Sequence, residues 1–289
     1  MAIFYNDKLN DSLQKEGYVI VSLLDNKDLV LLENFFYSNE NEFQEKFTTF
    51  ACNDSDYKKK VDSLLKEVIG EKLKGIISEE MTPFWGNFMM KIPGESSNMP
   101  LHTDWKYVDE ENYISLNVWT PLTDTTLENG AFHVVPKSHL VCNYPRGMNL
   151  PRYYEVFEEE TKQHFGKALF LKKGEAVIYD HRLLHYSFSN KSDKNRLAAT
   201  LIYVPKEAPI TIFHKDNLTQ ITHAFEIENV SSLLDSNFFD EPKHFKHKTV
   251  VNMAKMDEIK VFSDLNNLNR KNTTFFSRLK SLFKNKIDV

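Results

Sequence analysis

The spacing of apolar side chains changes character near residue 83. Before it, apolar positions recur at intervals of three and four, the repeat of one helix face. Leu29, Leu32, Phe35 and Phe36 make one such row, with Asp25 or Asn26 in the position of an N-cap. Val61, Leu64, Leu65, Val68, Ile69, Leu73, Ile76 and Ile77 make a second. Ahead of both, Gly17-Tyr18-Val19-Ile20-Val21 reads as a short strand. From Pro83 the rhythm becomes short strand-like runs between turn residues, over 84–92, 113–120, 130–135, 168–171, 175–179, 184–188, 195–204 and 210–213. Eight such runs fit a double-sheet jelly roll, the cupin-like double-stranded β-helix, with the N-terminal helices packed on one sheet. The expected fold class is therefore mainly β with helices.

Two stretches interrupt that rhythm. Residues 137–166 hold Pro145, Gly147, Pro151 and the run Glu158-Glu159-Glu160, the character of a lid-like insertion between strands. The tail from Arg270 carries six basic side chains and one acidic, with Phe275, Phe276, Leu279, Phe283 and Ile287 on one helical face. The expected organisation is a single domain over 1–250 with its core at about 83–213, then a helical extension over 251–289. The basic tail reads as a docked terminal helix, or as a weak contact through 270–289 with an anionic membrane or a partner.

Composition narrows the function classes. With 41 acidic against 36 basic side chains and a net charge of -5, the chain lacks the cationic surplus that nucleic acid requires. Nine glycines disfavour a nucleotide fold built on glycine loops. Cys52 and Cys142 are too few for a disulfide framework or a zinc ribbon, so both are expected to be reduced and structural. No run reaches the roughly 18 apolar residues of a membrane span, and the first residues lack a basic region followed by an apolar one. The expectation is a cytoplasmic protein whose partner is a small molecule.

The candidate chemistry begins with His102-Thr103-Asp104. Ten His and 18 Asp predict about 0.6 H-x-D triplets by chance, so the pattern alone is weak. A second triplet, His214-Lys215-Asp216, is read as a loop. An iron(II) oxygenase site needs two imidazoles and a carboxylate on one face of the metal. Residues i and i+2 of a strand point the same way, so H-x-D at a strand end supplies two of the three. His185 is a suitable third, and Arg196 lies eleven residues beyond it, across a turn over 189–195. A hairpin there places 185 near 198, with Arg196 on the face of His185, where a guanidinium grips a carboxylate bidentately. Of the ten His, His185 alone has an Arg at that offset.

These pieces make the chain specific. It resembles the phytanoyl-CoA dioxygenase family of Fe(II)- and 2-oxoglutarate-dependent oxygenases. The matching residues are Glu16-Gly17-Tyr18-Val19-Ile20-Val21, the triplet at 102–104, Trp119-Thr120-Pro121-Leu122, and the block from Glu128 to His139. Gly174-Glu175-Ala176-Val177-Ile178-Tyr179, His185-Tyr186-Ser187, Asn190 and Arg196 complete it, so the likeness spans roughly residues 16–205. One departure is Lys137, where the family usually has Gly before Ser-His. Asp104 is a carboxylate, which disfavours a halogenase that leaves this position open.

The resemblance implies Fe(II) held by His102, Asp104 and His185, with 2-oxoglutarate and O2 as cosubstrates. It implies Arg196 on the distal carboxylate of 2-oxoglutarate, assisted by Ser187. The reaction implied is hydroxylation of an unactivated C–H bond with release of succinate and CO2. Other residues are candidates by parity. Asn117 shares one strand face with Tyr113, Ser115 and Trp119, and either meets the cosubstrate or substrate or bonds internally. Asn87 and Lys91 share a face on the run 84–92; a buried Lys91 needs an anion, an exposed one does not. Trp105, Tyr107, Phe132, His133 and Tyr186 flank the ligands, as pocket walls or as core. His181 is read as lying in the turn before its strand, and His133 and His139 as outer-shell or lid residues. The rival readings are a catalytically silent jelly-roll binding module and a cupin-type metalloenzyme that does not use 2-oxoglutarate.

Overall fold

The computed structural model describes residues 2–39, 48–152, 154–237, 240–252 and 258–269. The basic tail from Arg270 lies outside the described residues. In chain order the first elements are α1 (Asp7–Glu16), β1 (Tyr18–Ser22), α2 (Asn26–Ser38), α3 (Ser55–Leu73), β2 (Met81–Lys91) and β3 (Met99–His102). Then come β4 (Leu116–Pro121), β5 (Phe132–Val134), α4 (Glu158–Phe165), β6 (Lys167–Leu169), β7 (Glu175–Asp180) and β8 (His185–Ser187). The last are β9 (Arg196–Pro205), β10 (Ile210–Lys215), β11 (Thr222–Ile227), α5 (Ser231–Leu234), β12 (Phe245–Val250) and α6 (Glu258–Asn269).

Two antiparallel sheets make the jelly roll. One runs β1-β7-β4-β9-β2 and the other β3-β8-β5-β6. The N-terminal helices α1–α3 cover the outside of the five-stranded sheet for the reason the apolar rows gave. Asp25 caps α2 through a reciprocal box with Asp28. Leu29, Leu32 and Phe36 then join Val61, Leu65 and Ile69 of α3 over Leu116, Val118, Ile178, Ala199 and Leu201. Gly86 lets α3 come close, since a Cβ there would lie 2.9 Å from that of Leu65. The opposite face of the same strands carries Asn117, Trp119 and Tyr179, turned between the sheets.

The second helical row ends sooner than its spacing predicts: α3 stops at Leu73, and Ile76 and Ile77 follow outside it. Three strands escape the sequence pattern. β3 is short, while β11 and β12 extend β10 into a separate three-stranded sheet. β12 is exposed along its whole length, so it has no apolar alternation to announce it. In the insertion, Phe157 and Phe165 pack against Phe262 of α6 at ring separations of 4.8 and 5.7 Å. Leu184 and Tyr186 of the β8 region belong to the same cluster, so α6 backs a metal-side strand from outside. Among the described residues no helix is long and apolar enough to cross a membrane.

Candidate metal centre

His102 closes β3 and His185 opens β8, and the two are direct partners across those strands. Their rings lie 4.2 Å apart. Asp104, two residues past His102, is anchored through its amide to the His181 carbonyl. The ligand atoms of His102, Asp104 and His185 fall within 4.8 Å of one another, and among the described residues they form the one such cluster. From Asp104 Oδ1 the imidazole Nε2 atoms lie at 4.0 Å for His102 and 3.6 Å for His185.

Backbone carbonyls fix the tautomers. His102 Nδ1–H donates to Pro100 O at 2.8 Å, and His185 Nδ1–H donates to Leu183 O at 2.9 Å. A carbonyl can only accept, so both Nε2 lone pairs face the centre. Asp104 is held as firmly. Its Oδ2 accepts from Asn117 Nδ2 at 2.9 Å and from the Tyr179 hydroxyl at 2.8 Å, leaving Oδ1 towards the imidazoles. Burial, with His185 nearby, pulls His102 down to about 4, so the ring is neutral at pH 7. Burial works against the Asp104 carboxylate, but the surrounding His185, His181 and His102 and the Asn117 bond outweigh it and hold its pKa at about 2. A neutral His102 imidazole and an ionised Asp104 carboxylate, with His185 opposite, are donors of the kind a ferrous ion takes.

Beside the triad is a cavity of about 80 Å³ that reaches Arg196, Lys91, Ser187 and Trp119. Arg196 and Lys91 are direct partners across β9 and β2. Both are buried. Burial lowers Arg196 to about 9, and burial with the adjacent Arg196 lowers Lys91 to about 7. Neither has a carboxylate partner among the described residues. Arg196 donates from one guanidinium nitrogen to Gly130 O at 2.8 Å and lies over the Trp119 ring, but its buried Nε has no partner. Lys91 donates to Ser97 O. Gly130 is required here: its φ is +77°, and a Cβ would meet Phe188 O at 2.5 Å. Two buried cations with an orphaned donor are a site for an anion, and a keto acid chelating the metal fits the residues present.

Arg196 arrives by a different route from the one the spacing suggested. β8 and β9 do not pair; they belong to opposite sheets, and the chain crosses between them after Ser187. Arg196 therefore faces the triad from across the barrel instead of from the neighbouring strand. The His214 triplet is not a loop either. His214 is buried on β10 opposite His223, with Asn149 at 3.2 Å from its Nε2.

The remaining candidates separate. Asn117 and Asn87 line the metal-side cavity. Asn117 is engaged with Asp104, while Asn87 accepts from the Thr48 hydroxyl at 2.9 Å and donates to Thr200. Phe132 lies in the cavity wall, stacked on His185 at 5.2 Å. Tyr186 contributes to the wall, and its ring packs with His133 at 4.7 Å on the outward side of β5 and β8. Trp105 lines a second, larger cavity of about 430 Å³ that meets the first at Met99 and His102. Tyr107 is wedged against Phe84 and His181.

Several neighbours are not evident from the sequence. Tyr179 clamps Asp104. His181 is fully buried, bonded to the Ser115 hydroxyl at 2.7 Å, with Nε2 at 4.0 Å from Asp104 Oδ2. Tyr179 has the parity of the inward positions of β7, which is the signal that could have found it. Nothing in the sequence marks Phe50, which enters the metal-side cavity from 39 residues before Met89, its fellow wall residue.

Similarity to known proteins agrees with this construction. The model of the phytanoyl-CoA dioxygenase family matches residues 25–198. The chain is 28% identical over 145 residues to a phytanoyl-CoA dioxygenase domain-containing protein 1 homolog of Dictyostelium discoideum, covering 47% of this chain and 50% of that protein. It is 29% identical over 136 residues to a phytanoyl-CoA dioxygenase of Arabidopsis thaliana, covering 46% and 47%. The matches thus span about half the length of these curated relatives. Among solved structures, EvdO2 of Micromonospora carbonacea var. aurantiaca superposes with a TM-score of 0.55 at 18% identity, over 71% of this chain and 94% of that one. The same protein complexed with 2-oxoglutarate gives a TM-score of 0.51. That likeness shows the fold, and the family model covers more than half of the sequence. With the His102–Asp104–His185 cluster in its jelly roll, the chain belongs to the phytanoyl-CoA dioxygenase family, whose cofactors are Fe(II), 2-oxoglutarate and O2.

Proposed function

We propose that this protein is an Fe(II)- and 2-oxoglutarate-dependent oxygenase that hydroxylates an unactivated C–H bond of a small-molecule metabolite. The observation that carries the reading is the joining, in one cavity, of a metal-type triad with two buried cations that lack a carboxylate partner among the described residues. The bound metal with its keto acid and O2 supplies the oxidising chemistry, in which 2-oxoglutarate leaves as succinate and CO2. The names of the relatives and the 2-oxoglutarate complex of EvdO2 support the same class.

The chain's own residues do the rest. His102, Asp104 and His185 hold the metal, and their backbone and Tyr179–Asn117 bonds keep the donor atoms aimed. Arg196 holds the distal carboxylate of the keto acid, with Lys91 adding charge on the same side and Ser187 within the same wall. Trp119, Phe132 and Tyr179 line that compartment with rings, which excludes water and strengthens each ion pair inside. Substrate enters through the second cavity, which touches the centre at His102. The test is a library screen read by succinate formation and by a mass gain of one oxygen in the product. Coupled turnover that disappears in His185→Ala is expected; no succinate from iron-loaded protein with any member of the library contradicts the reading.

A further inference from the structure

The larger cavity carries information about the substrate, provided that the protein is an oxygenase of the proposed kind. It lies between the segment 99–105 at the metal-type triad and residues 144, 146–152 and 154 of the insertion. Its volume of about 430 Å³ suits a small-molecule ligand. Its walls include Trp105, Met148, Leu150 and Pro151. Among the described residues lining it, Arg146 and Arg152 bear the full positive charges, and no carboxylate is present.

The two arginines are not equivalent. Arg146 is buried and fully committed. It donates from Nε to Asp104 O at 2.7 Å, to both oxygens of the buried Glu110, and to Tyr144 O. Removing those bonds for a ligand would leave a buried carboxylate unpaired. Arg152 is 43% exposed and pairs with Glu155, itself 59% exposed, at 2.9 Å. Exposed pairs of this kind are weak. Its other neighbour, Glu158, lies at 3.5 Å and is engaged more closely by Lys162 at 2.7 Å and by the Leu101 amide at 3.0 Å. One guanidinium at the cavity wall can therefore exchange a weakly held surface partner for a ligand carboxylate, and planar bidentate geometry favours that exchange.

We infer that the substrate is a free carboxylic acid with an apolar body: the body fills the cavity under Trp105 and Leu150, and Arg152 anchors the single carboxylate. A coenzyme A thioester does not fit this anchor. It lacks the free carboxylate, and its several phosphate charges have no matching cations among the residues described along this wall.

The experiment measures binding without turnover, by calorimetry on protein loaded with Ni(II) and saturating 2-oxoglutarate. The probes are 2-naphthoate, octanoate, the amides of both acids, and octanoyl-coenzyme A. The acids are expected to bind at least about tenfold more tightly than their amides, which corresponds to about 1.4 kcal/mol. Arg152→Gln is expected to remove that preference while leaving amide binding and the loading of Ni(II) and 2-oxoglutarate unchanged. Glu155→Gln, which releases Arg152 from its surface partner, is expected to tighten acid binding several-fold. Equal affinity of acid and amide, an acid preference that survives Arg152→Gln, tightest binding by octanoyl-coenzyme A, or no binding by either acid overturns the inference. Loading of Ni(II) and 2-oxoglutarate is measured first in the same samples, so its failure counts against the oxygenase reading and not against the anchor.

Discussion

His102-Thr103-Asp104 and His214-Lys215-Asp216 are the same pattern in two surroundings. At the first, the strand ends at the histidine and the aspartate turns inward, with both donors on Oδ2 and Oδ1 left towards His185. At the second, the strand runs one residue further and Asp216 enters a turn. Its Oδ1 accepts from the amides of Leu218 and Thr219 and from the Thr219 hydroxyl, so the carboxylate is taken up by local backbone. His214 meets Asn149 and, across the ladder, His223. Each triplet has an imidazole on the strand opposite, His185 or His223, so what separates them is the carboxylate: Asp104 has no local turn to cap, and Asp216 has one; residue type and spacing do not decide it.

The largest expected effect separates the two triplets directly. His185→Ala is expected to weaken Fe(II) binding by more than about 100-fold, beyond the usual loss for an outer partner, and to abolish succinate formation. His214→Ala is expected to leave both unchanged, as read by metal titration monitored by calorimetry. A comparable loss at His214 would break the contrast.

The next prediction sharpens it. Tyr179→Phe and Asn117→Ala each remove one bond to Asp104, and each is expected to lower Fe(II) affinity by about 10- to 100-fold. Asn149→Ala, the corresponding change beside His214, is expected to have no effect on metal affinity. Equal metal affinity in the wild type and the Tyr179→Phe variant would mean that Asp104 is aimed by its backbone alone.

Much of this was legible in the chain, and what was not has identifiable causes. The 3.6-residue rows over α2 and α3 report burial of one face, while the alternation on β4, buried on both sides, separates its helix-covered face from the face between the sheets. The His102–Asp104–His185 cluster was legible because two of its members sit at i and i+2 across a strand end, where parity is local. Partnership between strands is not local. β8 and β9 adjoin in sequence but lie in different sheets, so the expected 185–198 pairing was wrong although Arg196 still reaches the cavity. β12 was invisible because exposed strands carry no hydrophobic period. At Lys137 φ is +67°, a left-handed position that favours glycine, which accounts for the one departure from the family pattern expected at that turn.

A pH prediction distinguishes the cation pair from an ordinary surface site. With its pKa lowered to about 7, Lys91 is mostly neutral above pH 7. A bound dianion favours the protonated amine, so binding takes up a proton in that range. The affinity for 2-oxoglutarate is expected to be flat below pH 7 and to fall above it, by at most about tenfold per pH unit. Without ligand the sign of the stability change is the reverse. The unfolded chain, with Lys91 near 10.5, binds more protons between pH 7 and 10.5, so this group's contribution to stability rises across that window. Lys91→Met is expected to flatten the pH dependence of 2-oxoglutarate affinity, measured by calorimetry; an unaltered slope in that variant assigns the proton elsewhere.

The smallest effect is at Lys137. Relief of left-handed strain, about 1–2 kcal/mol, is partly offset by the greater freedom of glycine in the unfolded chain, about 0.5–1 kcal/mol. Lys137→Gly is expected to raise stability by up to about 1 kcal/mol in urea unfolding, without altering metal affinity.

The most direct test is an anaerobic titration of the Fe(II)-loaded protein with 2-oxoglutarate, monitored by the visible charge-transfer absorption of a keto acid chelated to ferrous iron. The wild type is expected to develop that band with a 1:1 endpoint. Arg196→Ala is expected to need at least about 30-fold more 2-oxoglutarate, corresponding to about 2 kcal/mol for one buried charge partner, while Fe(II) still binds. No band in iron-loaded wild type, or an identical titration in Arg196→Ala, would contradict the convergence of metal triad and cation pair on one keto acid.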